Sequence, residues 1–146
     1  MTDTQASDIN LSTQELKAIL ESSTTIAVVG ASTHERKAAN RIPRWLIKAG
    51  FTVIPVNPTA DEILGQKAYP TLADIPVPVD IVDVFRPSEE AASVAEQAAA
   101  IGAKTLWLQL GITSDEARKF ASDAGMNFVE DNCLGVTVNE LEVTKP

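Results

Sequence analysis

The chain has one cysteine, Cys133, and one histidine, His34, among 146 residues. A lone thiol excludes an internal disulfide and points to a reducing, cytoplasmic setting. No His-plus-Cys or His-plus-carboxylate spacing marks a metal site, and none is expected. No apolar run reaches the about 18 residues that span a bilayer. Met1 to Asn10 is polar and lacks the apolar core of a signal peptide. Positive charge is also in short supply. The 12 Lys and Arg residues face 20 Asp and Glu, a net charge of −8, which disfavours nonspecific nucleic-acid binding. Neither an internal repeat nor a break in composition divides the chain. One domain is expected, long enough to bury about 70% of its unfolded surface.

What the chain does contain is organised around Thr25-Ile26-Ala27-Val28-Val29-Gly30-Ala31-Ser32. A β-branched apolar run that stops at Gly-Ala-Ser reads as a strand buried on both faces, running into a turn. Gly30 lets backbone approach a ligand where a Cβ would block it. The N–H groups and positive dipole end of the next helix then lie close by, an arrangement that suits phosphate.

The other elements follow in alternation. Ser12 and Glu15 have capping-box spacing ahead of a helix over roughly 12–22. After strand one, at about 25–30, residues 40–49 read as a helix with Asn40 as N-cap, Pro43 in the first turn and Gly50 as its stop. Phe51 to Val56 is strand two. Residues 59–78 are irregular, with a short edge strand expected within Ile63 to Tyr69. Asp80 to Phe85 and Lys104 to Leu110 are strands, separated by an alanine-rich helix over 88–101. Thr113 to Glu116 reads as a second capping box, opening a helix that ends near Gly125. Met126 to Val129 is the last strand. The domain is expected over 12–136, between an N-terminal tail over 1–11 and a C-terminal tail over 137–146.

Strands alternating with helices call for a three-layer α/β sandwich, with a mostly parallel sheet of five or six strands and right-handed crossovers. Ligands of such sheets sit beyond the carboxyl ends of the strands, near the switch in strand order. Those ends carry Gly30-Ala31-Ser32, Asn57-Pro58, Phe85-Arg86, Gln109 to Ile112 and Asp131-Asn132-Cys133. NAD fits them poorly. The turn lacks G-x-G-x-x-G, and strand two ends in Asn57 where an acid would hold the ribose hydroxyls. A Walker A loop is absent as well. The turn does have cations nearby. Arg36, Lys37, Arg41, Arg44 and Lys48 are five of the 12 Lys and Arg residues, and no Asp or Glu lies between Arg36 and Ala60. They read either as a solvated helix face or as phosphate ligands, the latter best for Arg36 and Lys37.

The sequence resembles the small stand-alone CoA-binding-domain proteins, relatives of the nucleotide-binding domain of the succinyl-CoA synthetase α subunit. The matching stretches include Val28 to Ser32, Val53 to Pro58, Ile63-Leu64-Gly65 with Tyr69, and Ile75-Pro76 with Val79-Asp80. They continue through Val84-Phe85-Arg86, Gly102-Ala103-Lys104, Leu106 to Ile112 and Asp131-Asn132-Cys133, in family order over roughly 22–135. The resemblance implies a Rossmann-like fold that binds coenzyme A or an acyl-CoA. Its contacts would come from Gly30, Ala31, Ser32, Asn57, Pro58, Phe85, Arg86, Gly111 and Ile112, with Arg36, Lys37 and Arg41 as phosphate partners. The chain departs from the family at Ala38-Ala39, where a Pro-Ser pair is frequent. It departs again at Asn132, where an arginine is common, and in the proline-poor Thr33-His34-Glu35.

Chemistry beyond binding has few candidates. His34 reads as an exposed loop residue or a phosphate contact. Cys133 reads as a small buried hydrophobe, or as a site thiol able to form a mixed disulfide with CoA. No partner base for a nucleophile is visible. Asp80 and Asp83 fall on opposite faces of their strand, since their spacing is odd, and Asp83 stands out inside an apolar run. Trp45 and Trp107 read as core or subunit-contact residues. The expected function is therefore CoA binding without catalysis, by a monomer or small homo-oligomer, with no membrane or nucleic-acid partner. The alternatives are a small NAD(P)-dependent oxidoreductase, a Cys133-dependent acyl-CoA enzyme, or a regulatory interaction module.

Overall fold

The computed structural model describes residues 11–146. Of the tail expected over 1–11, all but Leu11 lies outside the described residues, and Leu11 packs against the core. The elements run α1 (Thr13–Ser22), β1 (Thr25–Val29), α2 (Ala38–Lys48), β2 (Thr52–Val56), β3 (Glu62–Ile63), β4 (Gln66–Lys67) and a 3₁₀ turn at Leu72–Asp74. They continue β5 (Ile81–Val84), α3 (Ser88–Ala100), β6 (Thr105–Leu108), α4 (Asp115–Asp123), β7 (Asn127–Val129) and α5 (Leu134–Glu140).

The main sheet has five strands in the order β2-β1-β5-β6-β7, and every pairing in it is parallel. The chain turns outward from β1 to β2, then crosses back to β5 on the other side of β1. The switch in strand order therefore falls between β1 and β5, and it makes the ends of those two strands the natural ligand crevice. Each central strand is an apolar run because both of its faces are covered. Ile26, Val28, Ile81 and Trp107 face a layer that holds Leu20, Ile42, Leu46, Leu134 and Val138, from α1, α2 and α5. Ala27, Val82, Val84, Leu106 and Leu108 face α3 and α4 through Ala91, Ala95, Ala98, Ala117 and Ala121. The small alanine faces let those two helices lie close on the sheet. Pro55, which has no N–H, sits in β2, where the outer neighbour is only a bridge from Val56 to Tyr69.

Ser12 and Glu15 form the expected capping box, with Glu15 N donating to Ser12 Oγ at 3.1 Å and Ser12 N to Glu15 Oε1 at 2.9 Å. The edge strand expected within 63–69 is a two-residue hairpin of β3 on β4, closed by Leu64 and Gly65, both at positive φ. At α4 the cap is Ser114 rather than Thr113, its side chain accepting from Ala117 N at 3.0 Å.

Residues 137–146, expected as a tail, belong to the folded body. α5 lies on α2, and Val138 and Val143 are buried in the core. Lys145 N donates to Ala49 O at 2.7 Å. Gly135 permits the close approach, since a Cβ there would lie 3.1 Å from both Ile42 Cγ2 and Trp45 Cε3. Trp107 is fully buried as expected, whereas Trp45 is 44% exposed.

Candidate functional site

The strand ends form one continuous edge. Beyond β1, β5 and β6 the ladder continues by one step, with Gly30 N donating to Val56 O, Phe85 N to Val29 O and Gln109 N to Val84 O, and the loop after β7 is held by Asn132 N donating to Leu108 O, all at 2.8–3.3 Å. These bonds align Gly30-Ala31-Ser32, Asn57-Pro58, Phe85-Arg86, Gly111-Ile112 and Cys133 along the carboxyl edge of the sheet. Arg36, Lys37 and Arg41 follow on the loop and first turns of α2.

The turn after β1 is closely packed. Gly30 has φ +89°, and a Cβ there would lie 2.7 Å from Phe85 O and 2.9 Å from Arg86 Cδ. The missing side chain faces the end of β5, so glycine is needed to let the two switch-point strands close. This packing role stands beside the expected one of clearing space for a ligand. Ala31 is buried, and its carbonyl accepts from Asn57 Nδ2 at 2.9 Å. Ser32 N donates to Ala39 O at 3.1 Å. Ser32 Oγ accepts from His34 N at 3.0 Å, and Ser32 O accepts from Asn40 Nδ2 at 2.8 Å. Asn40, expected as an N-cap, lies buried inside α2 and is spent on this turn.

The N-terminus of α2 carries the cations. Its N-cap is Lys37, which provides no side-chain capping bond. The N–H groups of Ala38 and Ala39 have no hydrogen-bond partner among the described residues. Two arginines reach back along the helix to brace the loop. Arg41 Nη1 donates to Arg36 O at 3.0 Å, and Arg44 Nη2 donates to Glu35 O at 2.7 Å. Among the described residues, ion pairs join Arg86 to Glu90, Lys104 to Asp80, Arg118 to Glu130 and Lys119 to Asp123. None involves Arg36, Lys37, Arg41, Arg44 or Lys48. In a chain of net charge −8, this patch has unspent donors, no carboxylate partner among the described residues and a favourable helix dipole.

Asn57 is a bracket. Its Oδ1 accepts from Thr59 N, Thr59 Oγ1 and Ala60 N at 2.9–3.1 Å, and its Nδ2 holds Ala31 O. This closes an Asx turn and pins the β1 turn to β2. Asn57 and Pro58 line a cleft of about 340 Å³ together with Gly30, Thr71, Arg86 and α3. From α3 come Glu90, Ser93 and Gln97, three and four residues apart and hence on one helix face. The sequence reading missed this row, although its spacing is visible in the sequence. The guanidinium of Arg86 meets Glu90 through two bonds of 3.0 Å, which raise its pKa above the ordinary arginine value.

The far end of the edge is tied down internally. Ile112 N donates to Gln109 O at 2.9 Å, and Gly111 N donates to Asp131 Oδ1 at 2.7 Å. Both backbone donors are thus occupied within the protein. Asp131 has φ +52° and returns its own N–H to Ile112 O at 3.1 Å. Trp107 Nε1 donates to Asn132 O at 2.9 Å, so the loop before Cys133 rests on the core tryptophan. Cys133 is half-buried at the N-cap of α5, against the apolar layer shared with α2. Among the described residues, no group of three or more His, Cys, Asp or Glu side chains is placed to hold a metal ion.

Asp83 lies beneath this end. It is fully buried in the central strand, in register with Val28 and Trp107. Gln109 Nε2 donates to its Oδ1 at 2.7 Å, while its Oδ2 has no partner among the described residues. Burial pushes its carboxyl pKa up to about 7, against the lowering effect of the Gln109 bond.

Comparison with known proteins places this geometry in a family. The family model for a CoA binding domain matches residues 24–139. The uncharacterized protein YneT of Bacillus subtilis is 40% identical over 127 residues, covering 87% of this chain and 94% of YneT. The ADP-forming acetate–CoA ligase I of Archaeoglobus fulgidus is 30% identical over 126 residues, which make up 80% of this chain and 18% of the longer ligase. Among solved structures, a protein from Pyrococcus horikoshii superposes with a TM-score of 0.89 at 35% identity, covering 92% of this chain and 94% of that one.

Proposed function

Because the chain belongs to the CoA-binding-domain family, we propose that it binds coenzyme A or an acyl-CoA along the carboxyl edge of its sheet, as a binding protein without chemistry of its own. The observation that carries this is the cation patch at the switch point. Among the described residues, Arg36, Lys37 and Arg41 have no carboxylate partner and stand beside two unpartnered N–H groups of α2. Phosphate supplies the acceptors that this patch lacks. The sequence similarity to an acetate–CoA ligase supports CoA as the ligand class.

The phosphates take the Gly30–Lys37 turn and Arg41, with Ser32 Oγ as a hydroxyl donor. The adenosine part occupies the cleft between Asn57-Pro58 and α3, beside Phe85 and Arg86. There an incoming anion or ribose competes with Glu90 for the Arg86 fork. The pantetheine arm runs along Gly111 and Ile112 toward Cys133. Because the N–H of Gly111 is already held by Asp131, the arm gains packing there before it gains hydrogen bonds. Native mass spectrometry of freshly purified protein tests the reading. A bound species of CoA or acyl-CoA mass supports it. A bound nicotinamide nucleotide, or no species even after CoA is added in excess, contradicts it.

A further inference from the structure

We infer that Asp83 is a positioning residue of the proposed CoA site, acting through Gln109 on the turn that presents Gly111 and Ile112. The inference rests on the reading of that site as CoA-binding. Three links carry it. Asp83 Oδ1 holds the Gln109 side chain at 2.7 Å. The Gln109 carbonyl closes the turn by accepting from Ile112 N at 2.9 Å. That turn in turn meets the Asp131 loop through Gly111 N, at 2.7 Å. A purely structural core position would carry an apolar residue, as Ile81, Val82 and Val84 do on the same strand. Asp83 instead leaves Oδ2 buried with no partner among the described residues, a cost that calls for an explanation beyond packing.

The charge state of Asp83 decides how the turn is held. An uncharged carboxyl accepts from Gln109 at one oxygen and carries its proton on the other, which suits an apolar layer. A carboxylate there needs a second donor. The turn after β6 is the segment already tied to Asp83, so it is the segment drawn inward. Among the described residues, no charged side chain faces Asp83 to moderate this. On the sheet its neighbours are Val28 and Trp107. In the helical layer of that face, Glu15, Lys17 and Glu21 of α1, Arg41, Arg44 and Lys48 of α2, and Glu140 of α5 are all exposed. Cys133 is the one other titratable side chain packed against that layer. With the carboxyl titrating near 7, about one molecule in eleven has Asp83 uncharged at pH 8. Apparent CoA affinity should then fall about tenfold between pH 6 and pH 8.

The test pairs two measurements on wild type and Asp83→Asn, which keeps the shape and cannot ionise. The first is the CoA dissociation constant at pH 6, 7 and 8. CoA itself titrates in this range, so the readout is the difference between the two proteins. The wild type should lose about tenfold more affinity than the variant. The second is the pH dependence of the Gly111 and Ile112 amide resonances in ligand-free protein. These should titrate together near pH 7 in wild type and stay fixed in the variant. Should Asp83→Asn fail to fold, Gln109→Met cuts the same link and should also fix the two amides. Parallel CoA profiles in the two proteins would overturn the positioning role and leave CoA binding standing. An absence of CoA binding at every pH would overturn the site reading. Static amides in wild type would overturn the coupling itself.

Discussion

Ser32 gives its backbone N–H to the carbonyl of Ala39 at 3.1 Å. Ala39 can take it because Pro43, four residues on and inside α2, has no N–H to offer. A proline in a helix interior ordinarily leaves a carbonyl orphaned. Here that carbonyl anchors the turn after β1. Pro43→Ala would supply the missing helical donor and compete with Ser32. The expected result is CoA binding weakened several-fold with the melting temperature little changed, measured by calorimetric titration and thermal unfolding. Unaltered affinity would mean that the turn holds its shape without this bond.

The cations should act separately from the fold. Arg36→Ala and Lys37→Ala each remove an exposed charge. Each should weaken CoA binding by about three- to tenfold and flatten its dependence on salt. Arg41→Ala should cost more than either, because it also frees the Arg36 carbonyl. Titrations at low and high ionic strength check both claims. Equal salt slopes in wild type and variants would remove these residues from the phosphate site.

Asp83 sets a pH dependence of stability. Its folded pKa, raised to about 7 from 3.8, means that the folded state holds a proton that the unfolded chain gives up. Its stabilising contribution is whole below pH 3.8 and is lost as pH rises through about 7. The contribution is on the order of a few kcal/mol. Asp83→Asn should therefore melt higher than wild type at pH 8, with the gap shrinking toward pH 5. Thermal unfolding across that range decides it, and a gap that is constant with pH would contradict the account.

Cys133 is half-buried at the end of the proposed arm. Its thiolate should attack CoA disulfide, forming a protein–S–S–CoA bond and releasing one CoA thiol. Intact-mass spectrometry should show one CoA adduct that is lost on reduction and absent in Cys133→Ser. Wild type that stays unmodified would take Cys133 out of contact with the arm.

The parallel sheet and its strand ends were legible because fully buried strands are near-continuous apolar runs, as in Ile26 to Val29 and Ile81 to Val84. The cap of α1 was legible because Ser12 and Glu15 sit three apart with nothing to compete. Asn40 and Asn57 were harder. Each looks like a helix cap or a ligand contact, yet each spends its side chain on the β1 turn, Asn57 from 26 residues away. Local sequence does not encode such partners. The spacing of Leu134, Val138 and Leu141 is helical, but two turns are too few to stand out. What makes that segment fold is the surface of α2, where Gly135 meets Ile42 and Trp45. Asp83 was conspicuous within its strand. Its partner Gln109 became visible only once β5 and β6 lay side by side.

Calorimetric titration of the wild-type protein with CoA, set against NADP and ADP under identical conditions, decides whether the sheet edge is a CoA site. Saturable one-site binding of CoA is expected, tighter than either competitor and weakened by Arg36→Ala. No heat of binding with CoA, or tighter binding of NADP, would contradict it.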